Sequence, residues 1–388
     1  MSSLPHPRVV LGLQGAQMPA NAIRGIGRWS SLYVRALLRH HPEIVAAVSI
    51  DRRLPIPSVV QLLPEEVPVL VSEEHPVARD TERLVFHALS IFEDLELTRV
   101  WPLWAQDPSV GLVVTVYDMI PALFPSDYFQ GPLRYLLESR YLMTQQADAV
   151  IAISGTTAQD VSDLLDIDPR QVFVVPGEPS EKFVPHPAGR AAAHALIEDR
   201  LRIEPDFILS IGNVDPRKNL RALIEAYACL PAHLRERHEL VLTCSQASTT
   251  QLAPLRAAAG ELGVGDRVVL TSFVDDDTMV LLYQACGAMV YPSLYEGLGL
   301  PVIEAMRSGA PTLVSDVSAM REIVGDPDGR FDPHDVGDMS SKLRRVLEEP
   351  VFAERRRAEG ITDSLRYTWE QCAKATEEAY RLAAVRRP

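Results

Sequence analysis

Lysine is almost absent from this chain. Only four of the 38 basic residues are lysines, at positions 182, 218, 342 and 374, so arginine supplies nearly all of the positive charge. A lysine retained beside an arginine, as in Arg217-Lys218, indicates a place that needs two cations. Lysine is a compact point charge and arginine a planar fork of donors, and together they suit phosphate oxygens. The first function to consider for this pair is therefore phosphate binding.

Cysteine and long apolar runs are scarce as well. The four cysteines lie far apart and show no metal-ligand spacing, so we expect buried, reduced thiols. They are Cys229, Cys244, Cys286 and Cys372.

The uncharged stretch Thr278–Tyr295 contains glycine, proline and glutamine, and it predicts a core helix followed by a strand, not a membrane span. No signal-peptide pattern opens the chain, and we expect a cytoplasmic protein without a transmembrane segment.

Positive charge is too sparse for a protein that binds nucleic acid by phosphate attraction. The formal net charge is −14, and no basic run or basic half is present. A polybasic membrane-docking surface is not evident either. A local patch, and with it a peripheral membrane contact, stays open at four arginines: Arg24, Arg28, Arg35 and Arg39. The sequence does not indicate an oligomeric state.

Short apolar runs alternate with helical periodicity along most of the chain, in two series. The first series of predicted strands is Arg8–Leu13, Ile44–Ile50, Leu112–Val116, Ala149–Ile153 and Val172–Val175. The second is Phe207–Ile211, Glu239–Thr243, Arg267–Thr271, Ala288–Tyr291 and Thr312–Ser315. This alternation predicts an α/β protein with two Rossmann-like, doubly wound domains that face a central cleft, where ligands bind.

A stretch rich in proline and glycine, residues 176–187, separates the two series. We therefore place an N-terminal domain at residues 1–180 and a C-terminal domain at residues 181–365. Residues 366–388 contain an amphipathic helix, from Trp369 to about Ala384. Packing on either domain stays open for this helix, including a return to the N-terminal domain.

The strongest local motif follows the predicted strand Ala288–Tyr291 and reads Glu296-Gly297-Leu298-Gly299-Leu300-Pro301. Proline suits the start of a helix, and the glycines let a ligand approach the free amides there. We place Glu304 in the first turn of that helix, where its carboxylate suits a diol such as a ribose, and Glu296 suits a sugar hydroxyl. The alternative is an ordinary strand–turn–helix in which the helix dipole favours Glu304.

Arg217 and Lys218 stand at a second strand-to-helix turn, between Asn213 and a helix predicted to begin near Asn219, a good N-cap. Two cations and helix amides suit a pyrophosphate. The alternative is a solvated basic turn. Because both motifs follow strands of one predicted sheet, a shared ligand site is the better interpretation.

Two further motifs give weaker signals. Gly25-Ile26-Gly27 permits close approach of a phosphate or sugar, but it lacks the dinucleotide pattern G-x-G-x-x-G, which weakens a dehydrogenase interpretation. Asp275-Asp276-Asp277 imitates a metal-binding D-x-D motif, yet its place before a helix favours capping. Because Arg217 and Lys218 already supply positive charge, we expect no metal and no other cofactor.

Together these motifs resemble retaining glycosyltransferases of family 4, which have the GT-B fold, and bacterial mannosyl- and glucosyltransferases among them. The resemblance covers nearly the whole chain and its most specific part is the Glu-x7-Glu motif. It is carried by Tyr291–Ala305, Asp215–Leu220, Arg24–Arg28, Thr115–Pro121 and Phe331–Pro333.

The resemblance implies a donor, a nucleoside-diphosphate sugar such as GDP-mannose or a UDP-sugar, held mainly by the C-terminal domain. Glu296 would contact the transferred sugar and Glu304 the ribose, while Arg217 and Lys218 take the pyrophosphate. The amides of Gly297, Leu298, Gly299 and Leu300 would meet sugar and phosphate. Phe273 and Val274 resemble the segment that contacts the base, and Gly25 and Gly27 the loop that closes over the donor.

The sequence departs from the family pattern at two positions. Many relatives carry a histidine before the aspartate of the first-domain motif, where this chain has Tyr117-Asp118 on the acceptor side. Asp118 is the one nearby candidate for a catalytic base, or it braces the loop. Some relatives have an arginine at the position of Asn213, and here Arg217 would supply that charge.

The implied function is retaining transfer of a hexose to a hydroxyl of a saccharide, natural-product or lipid-linked acceptor, with mannosyl transfer in polysaccharide biosynthesis favoured. Two rivals remain. One is a GT-B sugar-nucleotide epimerase, which binds the same donor but transfers nothing. The other is a non-catalytic, sugar-nucleotide-binding partner subunit, which Tyr117 makes plausible.

Overall fold

The computed structural model describes residues 7–18, 25–74, 76, 83–92, 95–128, 131–244, 247–271 and 274–385. Arg24 and Phe273, which the sequence motifs include, lie outside the described residues. The chain divides into two compact units, Met1–Glu178 with Tyr367–Pro388 (unit 1) and Pro179–Arg366 (unit 2). Each unit has one parallel sheet with helices, which confirms the predicted α/β class with two Rossmann-like domains.

Unit 1 contains a sheet of seven parallel strands in the order β3-β2-β1-β4-β5-β6-β7. The strands are β1 (Arg8–Gly12), β2 (Val45–Ile50), β3 (Val69–Val71), β4 (Leu84–Ala88), β5 (Gly111–Val116), β6 (Ala149–Ala152) and β7 (Val172–Val174). The helices are α1 (Gln14–Gln17), α2 (Gly25–His40), α3 (Leu97–Val100), α4 (Ile120–Leu123), α5 (Pro125–Tyr128), α6 (Gly131–Gln145) and α7 (Gly155–Leu165). The central strands are buried along their whole length, as parallel strands covered on both faces require.

Unit 2 contains a sheet of six parallel strands in the order β10-β9-β8-β11-β12-β13. The strands are β8 (Ile208–Gly212), β9 (Leu240–Cys244), β10 (Val268–Thr271), β11 (Ala288–Tyr291), β12 (Thr312–Ser315) and β13 (Arg330–Phe331). The helices are α8 (Arg190–Leu201), α9 (Leu220–Ala228), α10 (Ala232–Arg237), α11 (Thr249–Glu261), α12 (Asp276–Ala285), α13 (Leu300–Arg307), α14 (Met320–Ile323), α15 (Val336–Glu348) and α16 (Pro350–Ser364). The last helix, α17 (Trp369–Val385), belongs to unit 1.

Short 3-10 turns join several of these elements. They are Pro42–Ile44, Ser58–Leu62, Leu103–Gln106, Pro169–Gln171, Pro216–Lys218, Gly265–Arg267 and Pro327–Gly329. Within the described residues, no helix is both long enough and apolar enough to cross a bilayer.

Three strands were not predicted from the sequence. β3 has three residues and lies at the sheet edge, β13 has two, and neither shows an alternating pattern. β4 is fully buried, but His87 interrupts its apolar run. The prediction of buried thiols was wrong for Cys229, which is exposed at the end of α9, whereas the other three cysteines are buried.

The strand order of unit 2 creates a topological switch point. The chain adds β9 and β10 on one side of β8, and then crosses to place β11, β12 and β13 on the other side. The carboxyl ends of β8 and β11 therefore flank a topological switch point, where connecting loops leave in opposite directions and open a crevice. Both sequence motifs of unit 2 begin at these two strand ends.

A buried polar network ties α17 to the sheet of unit 1. The Tyr380 hydroxyl lies 2.9 Å from the Tyr33 hydroxyl and 2.7 Å from Nδ1 of His87. Nε2 of His87 lies 2.8 Å from the hydroxyl of Thr115 on β5. Both ring nitrogens are therefore bonded to neutral hydroxyl groups, which do little to favour a charged ring. Burial lowers the pKa of His87 to about 3.

Mild acid is expected to destabilise unit 1 through His87. Its pKa is about 3 in the folded chain, against 6.5 for an unperturbed histidine, so below pH 6.5 the unfolded chain takes up a proton that the folded chain excludes. Stability therefore falls as the pH drops, by about 2 kcal/mol between pH 7 and pH 5 from this residue. The four tryptophans all lie in unit 1, so tryptophan fluorescence in urea reports on this unit.

The comparison is between the wild type and His87→Gln, which keeps polar atoms but does not titrate. The variant is expected to be less stable at pH 7 and to lose less stability between pH 7 and pH 5. An identical pH dependence in both proteins would show that His87 does not stay neutral in the folded state.

Candidate functional site

Arg217 and Lys218 are held by a tight turn at the carboxyl end of β8. The 3-10 turn Pro216–Lys218 is capped by Asp215, whose carboxylate accepts the Arg217 backbone N–H at 2.9 Å. Asn213 accepts the Asp215 N–H at 3.3 Å and so supports the same turn. The peptide chain thus presents two consecutive cations beyond the strand end, next to β11.

The structure brings these cations onto Glu296, which follows β11. Lys218 Nζ lies 2.5 Å and Arg217 Nη1 3.0 Å from the same carboxylate oxygen of Glu296. Lys218 also donates to the Tyr291 hydroxyl at 3.0 Å, and its ammonium group lies 5.1 Å from the centre of that ring. Arg217 further donates to the carbonyl of Tyr295. We call Arg217, Lys218, Tyr291 and Glu296 the switch-point cluster.

The switch-point cluster is buried, and its cations and its carboxylate hold one another in their charged forms. The side chains of Lys218 and Glu296 are only 12% and 11% exposed. Burial alone would lower the pKa of Lys218, but the negative charge of Glu296 outweighs it and the pKa is raised. Burial likewise favours neutral Glu296, yet Lys218 and Arg217 together lower its pKa. Both groups are therefore ionised at neutral pH.

The loop from Glu296 to Gly299 lies close against a neighbouring segment. Gly299 has a φ of +98°, and a Cβ atom there would lie 2.3 Å from Cε of Met320. Only glycine combines that backbone conformation with that contact. The Glu296 N–H donates to the hydroxyl of Ser318 at 3.0 Å, so the same segment holds both ends of the loop.

Glu304 lies on α13, but not where the sequence placed it. The helix begins at Leu300, so Glu304 is the fifth helical residue, in the second turn, and the predicted place in the first turn was wrong. The carboxylate is buried at 3% exposure and accepts a hydrogen bond from the Tyr283 hydroxyl at 3.2 Å. A stabilising effect of the helix dipole, which fades beyond the first turn, therefore explains little of its presence.

Asn219 precedes α9 as predicted, although not as a side-chain cap. It has a φ of +56° and its side-chain amide donates to the carbonyl of Pro333 at 2.8 Å. The amide therefore links the turn after β8 to the segment after β13. The expected N-cap hydrogen bond is absent, because the amide points to Pro333 instead.

The remaining candidate residues of unit 2 lie before α12. Val274 is half-buried and precedes Asp275, whose carboxylate caps the helix by accepting the Thr278 N–H at 2.7 Å. Asp277 pairs with Lys182 at 2.9 Å. Within the residues that the structure describes, no three His, Cys, Asp or Glu side chains are grouped to hold a metal ion. The predicted capping role of this triple aspartate is thus what the structure shows for Asp275.

Unit 1 carries the other four candidates. Gly25 and Gly27 belong to α2, so the predicted loop at these glycines is the first turn of a helix. The Tyr117 hydroxyl donates to the carbonyl of Leu89 at 3.0 Å and lies 3.0 Å from the Ser30 hydroxyl. Asp118 accepts the Ile120 N–H at 3.0 Å at the start of α4, which is a loop-bracing contact.

Sequence reasoning missed three side chains that complete the site in unit 2. Tyr291 belongs to the motif Tyr291–Ala305, but no role was predicted for it. Its place at the end of a strand next to the strand that leads to Lys218 could have indicated one. Tyr283 sits on α12 at helical spacing among apolar residues and looks like core. Ser318 gave no sequence signal, because its contact with Glu296 depends on the fold between β12 and α14.

Comparisons with known proteins show which family and which relatives this chain is similar to. Residues 197–362 match the family of glycosyl transferases group 1. A serotype-specific mannosyltransferase of Escherichia coli is 29% identical over 404 residues, which cover 96% of this chain and 48% of that protein. The O-antigen chain mannosyltransferase B of Escherichia coli is 28% identical over 272 residues, 70% of each chain. The chain thus spans about half the length of the first of these relatives.

Solved structures resemble the chain over nearly its whole length. Sucrose-phosphate synthase of Thermosynechococcus elongatus gives a TM-score of 0.69 at 18% identity, covering 97% of this chain and 98% of that one. An Anabaena protein crystallised with UDP and glucose gives 0.70 at 16% identity, covering 96% and 99%. At such low identity these likenesses show the fold, and they confirm the predicted GT-B architecture.

Gly299→Ala is expected to destabilise unit 2 by roughly 2 kcal/mol or more, from the cost of a left-handed alanine and the contact with Met320. The control is Gly325→Ala, where a Cβ atom would meet nothing within 4 Å and no positive φ is involved. Urea unfolding followed by far-ultraviolet circular dichroism makes the measurement. Equal stability of the two variants would contradict the close packing of this loop.

Proposed function

We propose that this chain, which carries a glycosyl transferases group 1 domain at residues 197–362, moves a hexose from a nucleoside-diphosphate sugar to an acceptor hydroxyl with retention of configuration. The observation that carries the proposal is the switch-point cluster. A buried lysine and arginine share one carboxylate at the carboxyl ends of β8 and β11, where doubly wound sheets bind ligands.

The switch-point cluster suits a diphosphate because its cations are already positioned. Lys218 and Arg217 converge on one oxygen of Glu296, so a phosphate oxygen entering there meets both without a large rearrangement. Preorganised charges of this kind stabilise developing negative charge better than water does. The amides of Gly297, Leu298, Gly299 and Leu300 lie at the start of α13 and add donors for sugar and phosphate oxygens.

Glu296 and Glu304 take the sugar and the ribose in this proposal. The two cations keep their place beside Glu296 when the diphosphate binds, and the Glu296 carboxylate also accepts a hydrogen bond from a sugar hydroxyl. The buried Glu304 carboxylate lies in the second turn of α13, after the glycine loop. It suits a pair of ribose hydroxyls. Val274, between β10 and α12, and Phe273 beside it in the sequence are the residues we assign to the base.

We propose mannose as the hexose and GDP-mannose as the donor, because two relatives of this chain are named mannosyltransferases. A UDP-sugar is the alternative, since a structural neighbour was crystallised with UDP and glucose. We propose a saccharide acceptor, because one relative is named an O-antigen chain mannosyltransferase. All four cysteines are free thiols, which suits a reducing compartment such as the cytoplasm.

The proposed reaction needs no general base from the protein. The bond between the anomeric carbon and the phosphate oxygen breaks, and the leaving diphosphate keeps the electron pair. Lys218 and Arg217 neutralise that charge. The acceptor oxygen bonds to the anomeric carbon on the same face and passes its proton to the departing phosphate oxygen. Asp118, hydrogen-bonded to the Ile120 N–H, then serves to brace the acceptor-side loop with Tyr117 beside it.

Lys218→Ala is expected to lower kcat/KM by about 100-fold or more, because it removes charge stabilisation from the transition state. Lys182→Ala is the matched control, since Lys182 is an exposed lysine of the same unit and its surface ion pair contributes little. Nucleoside diphosphate release in the presence of acceptor measures the rate. Activity of Lys218→Ala within a few-fold of the control would rule out the phosphate assignment.

Transfer is expected to survive EDTA. Two protein cations supply the charge that a metal ion supplies in other transferases, and Asp275 and Asp277 are engaged in a helix cap and an ion pair. The rate is compared before and after chelation and after adding Mg²⁺ or Mn²⁺. A rate abolished by EDTA and restored by either ion would show that the triple aspartate has a different role.

The product is expected to keep the anomeric configuration of the donor. An inverting reaction needs a base within hydrogen-bond reach of the attacking hydroxyl. Asp118 is the candidate, and its Oδ1 is engaged with the Ile120 N–H. The coupling of the anomeric proton in the NMR spectrum of the product decides the outcome. An inverted linkage would overturn the mechanism and make Asp118 the base.

A further inference from the structure

Ser318 occupies an unusual backbone position beside the switch-point cluster. It lies in the turn between β12 and α14 and has a φ of +43°. Residues other than glycine rarely adopt this conformation, and those that do are most often asparagine or aspartate. Strain of this kind persists only where the surrounding contacts enforce it, and it concentrates at functional sites.

Among the described residues, the other non-glycine residues with a positive φ have local reasons for their conformation. Arg202 and Asp166 end helices α8 and α7, where the left-handed conformation is common. Asn219 and Asp206 are of the residue types that tolerate it. Ser318 is the second residue of a turn that the Met320 N–H closes on the Val317 carbonyl at 3.1 Å. It neither ends a helix nor belongs to those residue types, so the turn alone does not explain why a serine stands there.

The Ser318 hydroxyl explains the choice of serine, because it accepts the backbone N–H of Glu296 at 3.0 Å. Glycine would adopt the same φ without strain, but it has no hydroxyl to offer. The contact acts on the residue whose carboxylate receives both Lys218 and Arg217. A shift of the Glu296 backbone would move that carboxylate relative to the two cations.

A second contact from the same segment fixes the other end of the loop. Met320 is fully buried, and its Cε lies only 2.3 Å from the place of a Cβ atom on Gly299. The segment from Ser318 to Met320 therefore holds the loop at Glu296 by a hydrogen bond and at Gly299 by packing. Loosening the first contact leaves the second in place, so the loop shifts locally and does not unfold.

We infer that Ser318 is a positioning residue for the proposed transfer reaction, setting the place of Glu296 through its backbone N–H. This inference rests on the proposed function. The hydroxyl touches no reacting atom. Its effect is to keep the Glu296 carboxylate at the distance from Lys218 and Arg217 that the donor requires.

Ser318→Gly is the informative variant, because it removes the hydroxyl and also relieves the backbone strain. A small displacement of a positioned group lowers kcat more than it weakens binding of the substrate. We therefore expect kcat to fall about 10- to 100-fold. The KM for the donor is expected to change by less than about threefold. Ser318→Ala should show the same loss, and Arg202→Gly, which relieves strain elsewhere in unit 2, should keep wild-type kcat.

Hydrogen exchange separates this inference from the proposed function. With Ser318→Gly, the peptide containing Glu296 is expected to exchange faster than in the wild type, while Arg202→Gly leaves it unchanged. Faster exchange with an unchanged kcat would overturn the positioning role, as would unchanged exchange. A wild-type protein that transfers no sugar from any nucleotide sugar would refute the proposed function, and the exchange result would still report on the Ser318 contact.

Discussion

The ion pair between Lys218 and Glu296 is the interaction on which the rest of unit 2 depends for its chemistry. Two oppositely charged groups, each nearly buried, are stable only when paired and hydrogen-bonded, because an isolated buried charge is expensive. The pair therefore joins two loops whose charged residues lie 78 positions apart in the sequence. Tyr291 and Arg217 complete the pairing, and no lysine elsewhere in unit 2 has such surroundings among the described residues.

The parallel sheet makes that pairing possible. β8 and β11 are neighbours, with Ala288 beside Ile208, so the residues after both strands leave from one edge of the sheet. The helices that follow, α9 and α13, then point their amino ends to the same edge. The proposed binding of a phosphate-bearing ligand rests on this cluster of cations and carboxylates at a switch point, next to the start of α13. The fold brings the ends of β8 and β11 together, and the side chains there provide the charges.

Much of this arrangement could be predicted from the sequence, and the limits are physical. The ten predicted strands all occur, because continuous apolar runs bounded by turn residues are a local signal. The proximity of Lys218 and Glu296 followed from strand ends meeting at one sheet edge. The strand β13 was not predicted, because two residues show no periodicity. The start of α13 was not predicted either, because the loop ends at Gly299 and the helix begins before Pro301. Ser318 was invisible, because its role depends on a contact across 22 residues of chain.

The measurement that tests the central claim most directly is calorimetric binding of nucleoside diphosphates and monophosphates. If Lys218 and Arg217 hold the second phosphate, the wild type binds GDP or UDP at least about tenfold more tightly than the matching monophosphate, a difference of about 1.4 kcal/mol. Lys218→Ala should lose most of that preference, while Lys182→Ala keeps it. A diphosphate preference that is unchanged in Lys218→Ala would contradict the account, since the switch-point cluster would then not be the phosphate site.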